Sequence, residues 1–171
     1  METRVTKKVR AFILKNGKIA IMKFKDTGTF MLPGGKLENN ETIIEALSRE
    51  ILEETGIKIE PDNLISDFHQ QIFERDKQDE NGEQYRSKII TTFYLVKTNE
   101  DFNIKKMKLS KKEEQNGVKP YWINPEILEY KLNTAINKYR NEYFSRYAKE
   151  YLTAFNRFKE YEKGNNRELE K

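Results

Sequence analysis

Glu50, Glu53 and Glu54 stand close together in the run Arg49-Glu50-Ile51-Leu52-Glu53-Glu54. On a helix turning roughly 100° per residue they fall within about 100° of one another, so three carboxylates crowd one stripe. Like charges held that closely repel, and a bound divalent cation relieves the repulsion. Hard cations take oxygen ligands, and a cation of this kind beside phosphate oxygens lets water attack an anhydride that its own negative charge otherwise protects. One carboxylate can take the proton of that water. Glu53 and Glu50 are the candidates, and spacing does not separate base from ligand among coupled acids. A charge run is ordinarily a solvated helix face. Here, however, Gly35, Glu41, Arg49 and Gly56 flank the acids at fixed offsets, which a solvated face does not require.

Residues 35 to 57 match the pattern G-x5-E-x7-R-E-U-x-E-E-x-G-U without a break, U being a bulky aliphatic residue. A chance match in a chain of this composition has odds on the order of one in a million. The pattern is the Nudix box, and the chain resembles a Nudix hydrolase over most of residues 5 to 130. That resemblance implies an α/β/α sandwich with a mixed sheet, an activity on nucleoside diphosphates linked to another moiety, and Mg²⁺ or Mn²⁺ as cofactor. It further implies that Glu50, Glu53 and Glu54 bind metal, with the carbonyl of Gly34 as a further ligand. Glu41 and Arg49 resemble the family's internal salt bridge. Lys36, after the Gly-Gly pair, resembles the lysine that neutralises substrate phosphate in the MutT-like branch. Many relatives add a glutamate from a later loop, and Glu113 and Glu114 are the candidates here.

The moiety X is less legible. No proline falls about fifteen residues past Ile57, as in ADP-ribose pyrophosphatases, and the downstream signature of NADH pyrophosphatases is missing. Gly34-Gly35-Lys36 fits a MutT-like enzyme converting a (deoxy)nucleoside triphosphate to monophosphate and pyrophosphate. A nucleotide sugar, ADP-ribose or a 5′-triphosphorylated RNA end is the alternative within the enzyme class. A silent Nudix-fold nucleotide-binding module is the alternative outside it, but such modules typically lose box glutamates, and all are present. Arg10, early in the chain, is a candidate phosphate contact. His69, the only histidine, and Trp122 read as structural. Phe24, Phe30 and Phe73 are candidates for lining a base pocket.

Composition sets the frame around these residues. The 171 residues contain no cysteine, which excludes disulfides and thiolate metal sites, and the net charge of +4 comes from interspersed Lys, Arg, Glu and Asp. That balance suits a phosphate-rich substrate without arguing for a nucleic-acid groove. The residues after Met1 do not resemble a signal peptide and no run reaches membrane-spanning length, so the expectation is a cytoplasmic protein with no membrane partner.

The elements that must position the carboxylates follow from periodicity. Val9 to Leu14 and Lys18 to Phe24, joined by Asn16-Gly17, read as a hairpin, and Phe30 to Leu32 as a short strand. Asn39 or Asn40 is the expected cap of a helix running to about Thr55, with Ile44, Leu47 and Ile51 inward and Gly56 as a left-handed stop. Ile57 to Ile59, Leu64 to Phe73 and Ser87 to Lys97 read as strands, the last two joined by a turn at Asn81-Gly82. From Pro125 to Lys163, aromatics at Tyr139, Tyr143, Tyr147, Tyr151, Phe155 and Phe158 mark one face of a long helix or helical pair. The expected organisation is α/β: a Nudix domain over 1–130, a helical extension over 131–163 packed on it or at a homodimer interface, and a flexible tail over 164–171.

Overall fold

Alternating apolar residues build a long central strand, β1 (Glu2–Lys15), in the computed structural model, which describes residues 1–60, 63–138 and 142–169. A turn at Asn16 and Gly17, both at positive φ, returns the chain into β2 (Lys18–Lys23). Then come β3 (Phe30–Met31), β4 (Gly34–Lys36), α1 (Ile43–Thr55), β5 (Leu64–Gln78) and β6 (Gln84–Lys97). A 3₁₀ turn (Ile104–Lys106), α2 (Lys111–Gln115), β7 (Lys119–Ile123), α3 (Pro125–Lys138) and α4 (Glu142–Leu169) complete the chain. The sheet order is β3-β2-β1-β6-β5, with β4 pairing β1 and β7 pairing β2. The β1–β6 pair is parallel and every other pair is antiparallel, so the sheet is mixed.

The period-2 alternation of β1 sends its side chains to two cores. Val9, Ala11 and Ile13 meet Ala46, Leu47 and Ile51 of α1 on one face. Phe12 on the other face meets Leu128 and Leu132 of α3 and Tyr151, Phe155 and Phe158 of α4, its ring stacked on Phe158 at 5.3 Å. These layers make an α/β/α sandwich. Most of the aromatic stripe of α4 is packed inside the chain: Tyr147, Tyr151, Phe155 and Phe158 are buried, while Tyr143 is 59% exposed. Tyr139 lies outside the described residues. α3 begins at Pro125, where the periodicity places the start of the helical stretch, and α4 continues through Gly164 to Leu169.

Three further expectations are corrected. Asn40 has a left-handed backbone (φ 61°) and ends the preceding turn, while Thr42 caps α1 in a reciprocal box. Thr42 Oγ1 accepts from Glu45 N–H at 3.2 Å, and Glu45 Oε2 accepts from Thr42 N–H at 2.8 Å. Ile44 lies in the first turn of α1 and is 47% exposed, so it does not share the burial of Leu47 and Ile51. Ile57 to Ile59 forms no strand; Ile57 is buried in the α1 core without ladder partners. The helix stop at Gly56 is as expected, at φ 71°, and a β-carbon there would lie 2.9 Å from Asn103 Cα.

Candidate active site

The helical period that groups the three box carboxylates also grades them by depth. Leu47, Ile51 and Glu54 recur at i, i+4 and i+7, so Glu54 sits on the inward stripe and is only 7% exposed. Glu50 lies at the edge of that stripe, and Glu53 is outermost, its side chain 37% exposed. Glu54 Oε2 accepts the Gly34 N–H at 2.7 Å, which ties the end of α1 to the start of β4. Burial pushes its pKa up to about 8 against the opposing pull of Arg10 and the Gly34 N–H, with Glu50 and Glu113 raising it further. Burial also pushes Glu50 upward, opposed by Arg49 and reinforced by Glu53.

β4 approaches these acids closely because two glycines leave room. Gly34 has φ 136°, and a β-carbon on it would lie 2.9 Å from Arg10 Cα, in the neighbouring strand. A β-carbon on Gly35 would lie 2.6 Å from the carboxyl carbon of Glu50. Glu50 is therefore packed directly against the Gly35 backbone.

Arg49 organises the outer side. Its Nε and Nη2 grip the two oxygens of Glu41 at 2.7 and 2.9 Å, and Nη2 also donates to the Lys36 carbonyl at 3.2 Å. Its Nη1 reaches Glu50 Oε1 at 3.0 Å and Glu53 Oε2 at 3.4 Å. The pair inferred from the sequence is present, and the same guanidinium also holds two of the acids. Glu41 is pulled below its ordinary value by the Arg49 hydrogen bond. Lys36, Glu38, Asn39, Arg49 and Glu50 line an open depression of about 650 Å³ at this surface.

Matched against known families, residues 6–146 fit the model described as the NUDIX domain. The chain belongs to the Nudix family. Over 39 residues it is 51% identical to the 8-oxo-dGDP phosphatase NUDT18 of Homo sapiens, a stretch covering 23% of this chain and 12% of that protein. Over 52 residues it is 48% identical to the ADP-ribose pyrophosphatase of Methanocaldococcus jannaschii, covering 29% of this chain and 31% of that one. The chain thus spans less than a third of the length of either curated relative. The crystal structure of the MutT protein from Methanosarcina mazei Go1 shares the fold, with a TM-score of 0.55 at 19% identity over 93% of this chain and 98% of that one.

Around the Nudix box the other candidate residues separate. Arg10 does not face an open phosphate site. It is buried, and its Nη1 donates to the carbonyls of Leu32 at 2.9 Å and Gly34 at 2.7 Å. Arg10 therefore already holds the carbonyl expected to ligate metal, and leaves that oxygen one lone pair. Glu113 belongs to the neighbourhood, since its charge bears on Glu54, but its own Oε2 accepts the Ser110 N–H at 2.7 Å in the cap of α2. Glu114 is exposed. Trp122 stacks on Phe102 at 4.4 Å, His69 lies against Phe93 at 5.7 Å, and Phe30 is buried beside Phe144, while Phe30 and Trp122 also line a depression of about 210 Å³. Phe24 is half-buried. Phe73 lies under the Arg146 guanidinium at 4.3 Å.

The partners of the Arg10 neighbourhood come from α4, where no local signal marks them. Lys8 Nζ donates to Tyr147 Oη at 3.4 Å, and Tyr147 Oη is 3.2 Å from Tyr143 Oη. Among the described residues, no three acidic or histidine side chains already converge on one ion position. Glu54 is turned to Gly34, and Glu50 and Glu53 are held by Arg49.

Proposed function

We propose that this chain is a divalent-cation-dependent pyrophosphohydrolase acting on a nucleotide, and that a (deoxy)nucleoside triphosphate, cleaved to monophosphate and pyrophosphate, is its substrate. The observation that carries this reading is the graded set Glu50, Glu53 and Glu54 at the end of α1, packed against the Gly34-Gly35-Lys36 strand. The donor set fits a hard cation: all donors are oxygens, and two of the acids are desolvated beyond what Arg49 and Arg10 offset. Glu50, Glu53, Glu54 and the free lone pair of the Gly34 carbonyl would hold Mg²⁺ or Mn²⁺. When bound, the ion neutralises phosphate oxygens and makes water a better nucleophile.

The chain's own groups supply the rest. Lys36, at the rim of the open depression, binds substrate phosphate. Glu50 faces the same depression and, with Glu53, is a candidate to accept the proton of the attacking water. Arg49 fixes Glu50 and Glu53 in rotamer, so little reorganisation is needed at the moment of reaction. Glu54 and Arg10 set the distance between α1 and β4 through Gly34.

The similarity to an ADP-ribose pyrophosphatase supports a nucleoside diphosphate linked to a sugar as a second reading. A substrate panel separates them: triphosphates, oxidised deoxynucleotides, ADP-ribose, nucleotide sugars and 5′-triphosphorylated RNA, with products resolved after reaction in ¹⁸O-water. Monophosphate plus pyrophosphate from a triphosphate supports the first reading. Orthophosphate and diphosphate as sole primary products refute it.

A further inference from the structure

Between α4 and the sheet lies an enclosed pocket that the carboxylate chemistry does not use. Lys8 and Arg10 of β1, Thr91 of β6 and Phe73 of β5 form its floor, and Tyr147 and Glu150 of α4 cover it. The strand register puts the floor on one face of the sheet: Lys8 pairs with Thr91, and Ile89, beside Thr91 in the floor, pairs with Phe73.

Arg146 fills this pocket. Its guanidinium lies 4.3 Å from the ring centre of Phe73, 5.0 Å from that of Tyr147 and 5.5 Å from that of Tyr143. The space left over is about 10 Å³, roughly the room of a single water molecule. Cation–π contact with three rings is favourable, but the polar side is unmatched. Arg146 Nε is buried with no hydrogen-bond partner among the described residues, and Glu150 Oε1 stands 3.9 Å from it, beyond hydrogen-bond reach. A buried donor without an acceptor costs stability, and Arg10 and Arg49 are fully engaged by comparison. The rings thus form a seat for a planar group, and Arg146 fits that seat incompletely.

The seat adjoins the candidate active site. Arg10 lines the pocket and donates to the Gly34 carbonyl at 2.7 Å, and Lys8 is the register partner of Lys36 on β4. Lys36 in turn lines the open depression beside Glu50. The strands run in the order β4-β1-β6-β5, so three spacings, roughly 14 Å, separate Lys36 from the strand of Phe73. An extended nucleoside triphosphate spans that distance.

We infer that Arg146 is an internal ligand of this pocket, which holds the seat in the present conformation and withdraws when the planar heterocycle of the nucleotide enters. The heterocycle matches the seat in its plane, and its N–H groups meet the Glu150 carboxylate. The Arg146 side chain is 21% exposed and the adjoining Tyr143 is 59% exposed, so the guanidinium leaves towards solvent on that side. The device restrains affinity from within, because substrate binds only those molecules whose seat is empty. The inference rests on the hydrolase reading for the identity of the entering group and on the pocket alone for the seat.

Arg146→Ala in the full chain empties the seat, and guanidinium chloride at millimolar concentration, far below denaturing levels, probes it against sodium chloride at equal ionic strength. Guanidinium should raise the melting temperature of the variant saturably, by about 1–3 °C, and leave that of the wild type unmoved. Non-hydrolysable α,β-methylene triphosphates carrying the common bases, with Mg²⁺, should bind the variant about threefold tighter or more than the wild type. Guanidinium should compete with them in the variant only. In the wild type, the Arg146 Nε–H resonance, identified by its loss in Arg146→Lys, should be displaced by the ring currents of Phe73, Tyr143 and Tyr147 and return to a solvent-like position when an analogue binds. A variant that guanidinium does not stabilise, or a wild type stabilised equally, overturns the inference. So does an analogue that binds the variant no tighter than the wild type, the result expected if Arg146 contacts the nucleotide directly. An Nε–H resonance that stays displaced in the bound state overturns it without recourse to Arg146→Ala, should that variant fail to fold. If neither protein binds any analogue, the triphosphate reading falls, and the guanidinium titration, which uses no nucleotide, still decides the seat.

Discussion

Arg10 and Glu54 are joined through one residue, Gly34: the carboxylate accepts its N–H at 2.7 Å, and the guanidinium donates to its carbonyl at 2.7 Å. A buried cation and a buried acid from β1 and α1 thus hold the first residue of β4 from both sides. Such a pair is a weak source of stability, because desolvation offsets most of the attraction, but removing one partner leaves the other uncompensated. Its consequence here is placement of the strand that carries Gly35 and Lys36 to the carboxylates.

Replacing Glu53 or Glu54 with glutamine should lower turnover by orders of magnitude while the fold persists. The Glu54→Gln amide still accepts the Gly34 N–H and carries no charge to desolvate, so its metal-free melting temperature should equal or exceed that of the wild type. Wild-type turnover of both variants at saturating Mg²⁺ would sink the assignment.

Glu54 also fixes a pH dependence of stability. Its folded pKa, about 8, lies above the ordinary 4.5, so between those values the folded state keeps a proton that the unfolded state has lost. The stability it confers is full below pH 4.5 and is lost as pH rises through 8, at up to about 1.4 kcal/mol per unit. Urea denaturation in EDTA should show this decline, and Glu54→Gln should remove it. Added Mg²⁺ should flatten it by stabilising the deprotonated form. A flat metal-free profile in the wild type would contradict the burial argument.

Arg49 and Glu41 form a two-point, charge-assisted contact, so their energies should couple. Arg49→Ala and Glu41→Ala should each destabilise, and the double variant should fall short of their sum by about 1 kcal/mol. Because Arg49 also holds Glu50 and Glu53, it should lose more kcat than Glu41→Ala. Strict additivity in thermal denaturation would argue against the pairing, and equal kcat losses against the second role.

Gly35→Ala should act on catalysis more than on stability. The new methyl group meets the Glu50 carboxyl, a side-chain end that can swing away, at the cost of its position beside Arg49. Gly34→Ala meets the backbone of β1 instead and requires positive φ, so it should cost several-fold more in stability. The comparison is kcat against melting temperature for both variants. A Gly35→Ala enzyme with unaltered kcat would show that Glu50 need not sit where it does.

The family, the three carboxylates, the Arg49–Glu41 pair and the stop at Gly56 were legible in the chain because each depends on short spacings along one helix and its entry loop. The aromatic period of α4 was legible for the same reason, but the sequence showed Val9 to Leu14 only as an apolar run, and its division between two cores came with the structure. The depth of each glutamate was half-legible: Leu47, Ile51 and Glu54 share a stripe, but only the docking of that stripe on Val9, Ala11 and Ile13 shows Glu54 to be desolvated. The tertiary structure decided the roles of Arg10 and α4. Whether a lone arginine in a strand meets solvent or two carbonyls depends on where the segment from Leu32 to Gly34 crosses it, and whether an aromatic stripe is a core or a dimer face depends on what lies opposite. Both are contacts between segments far apart in sequence, and no local period encodes them.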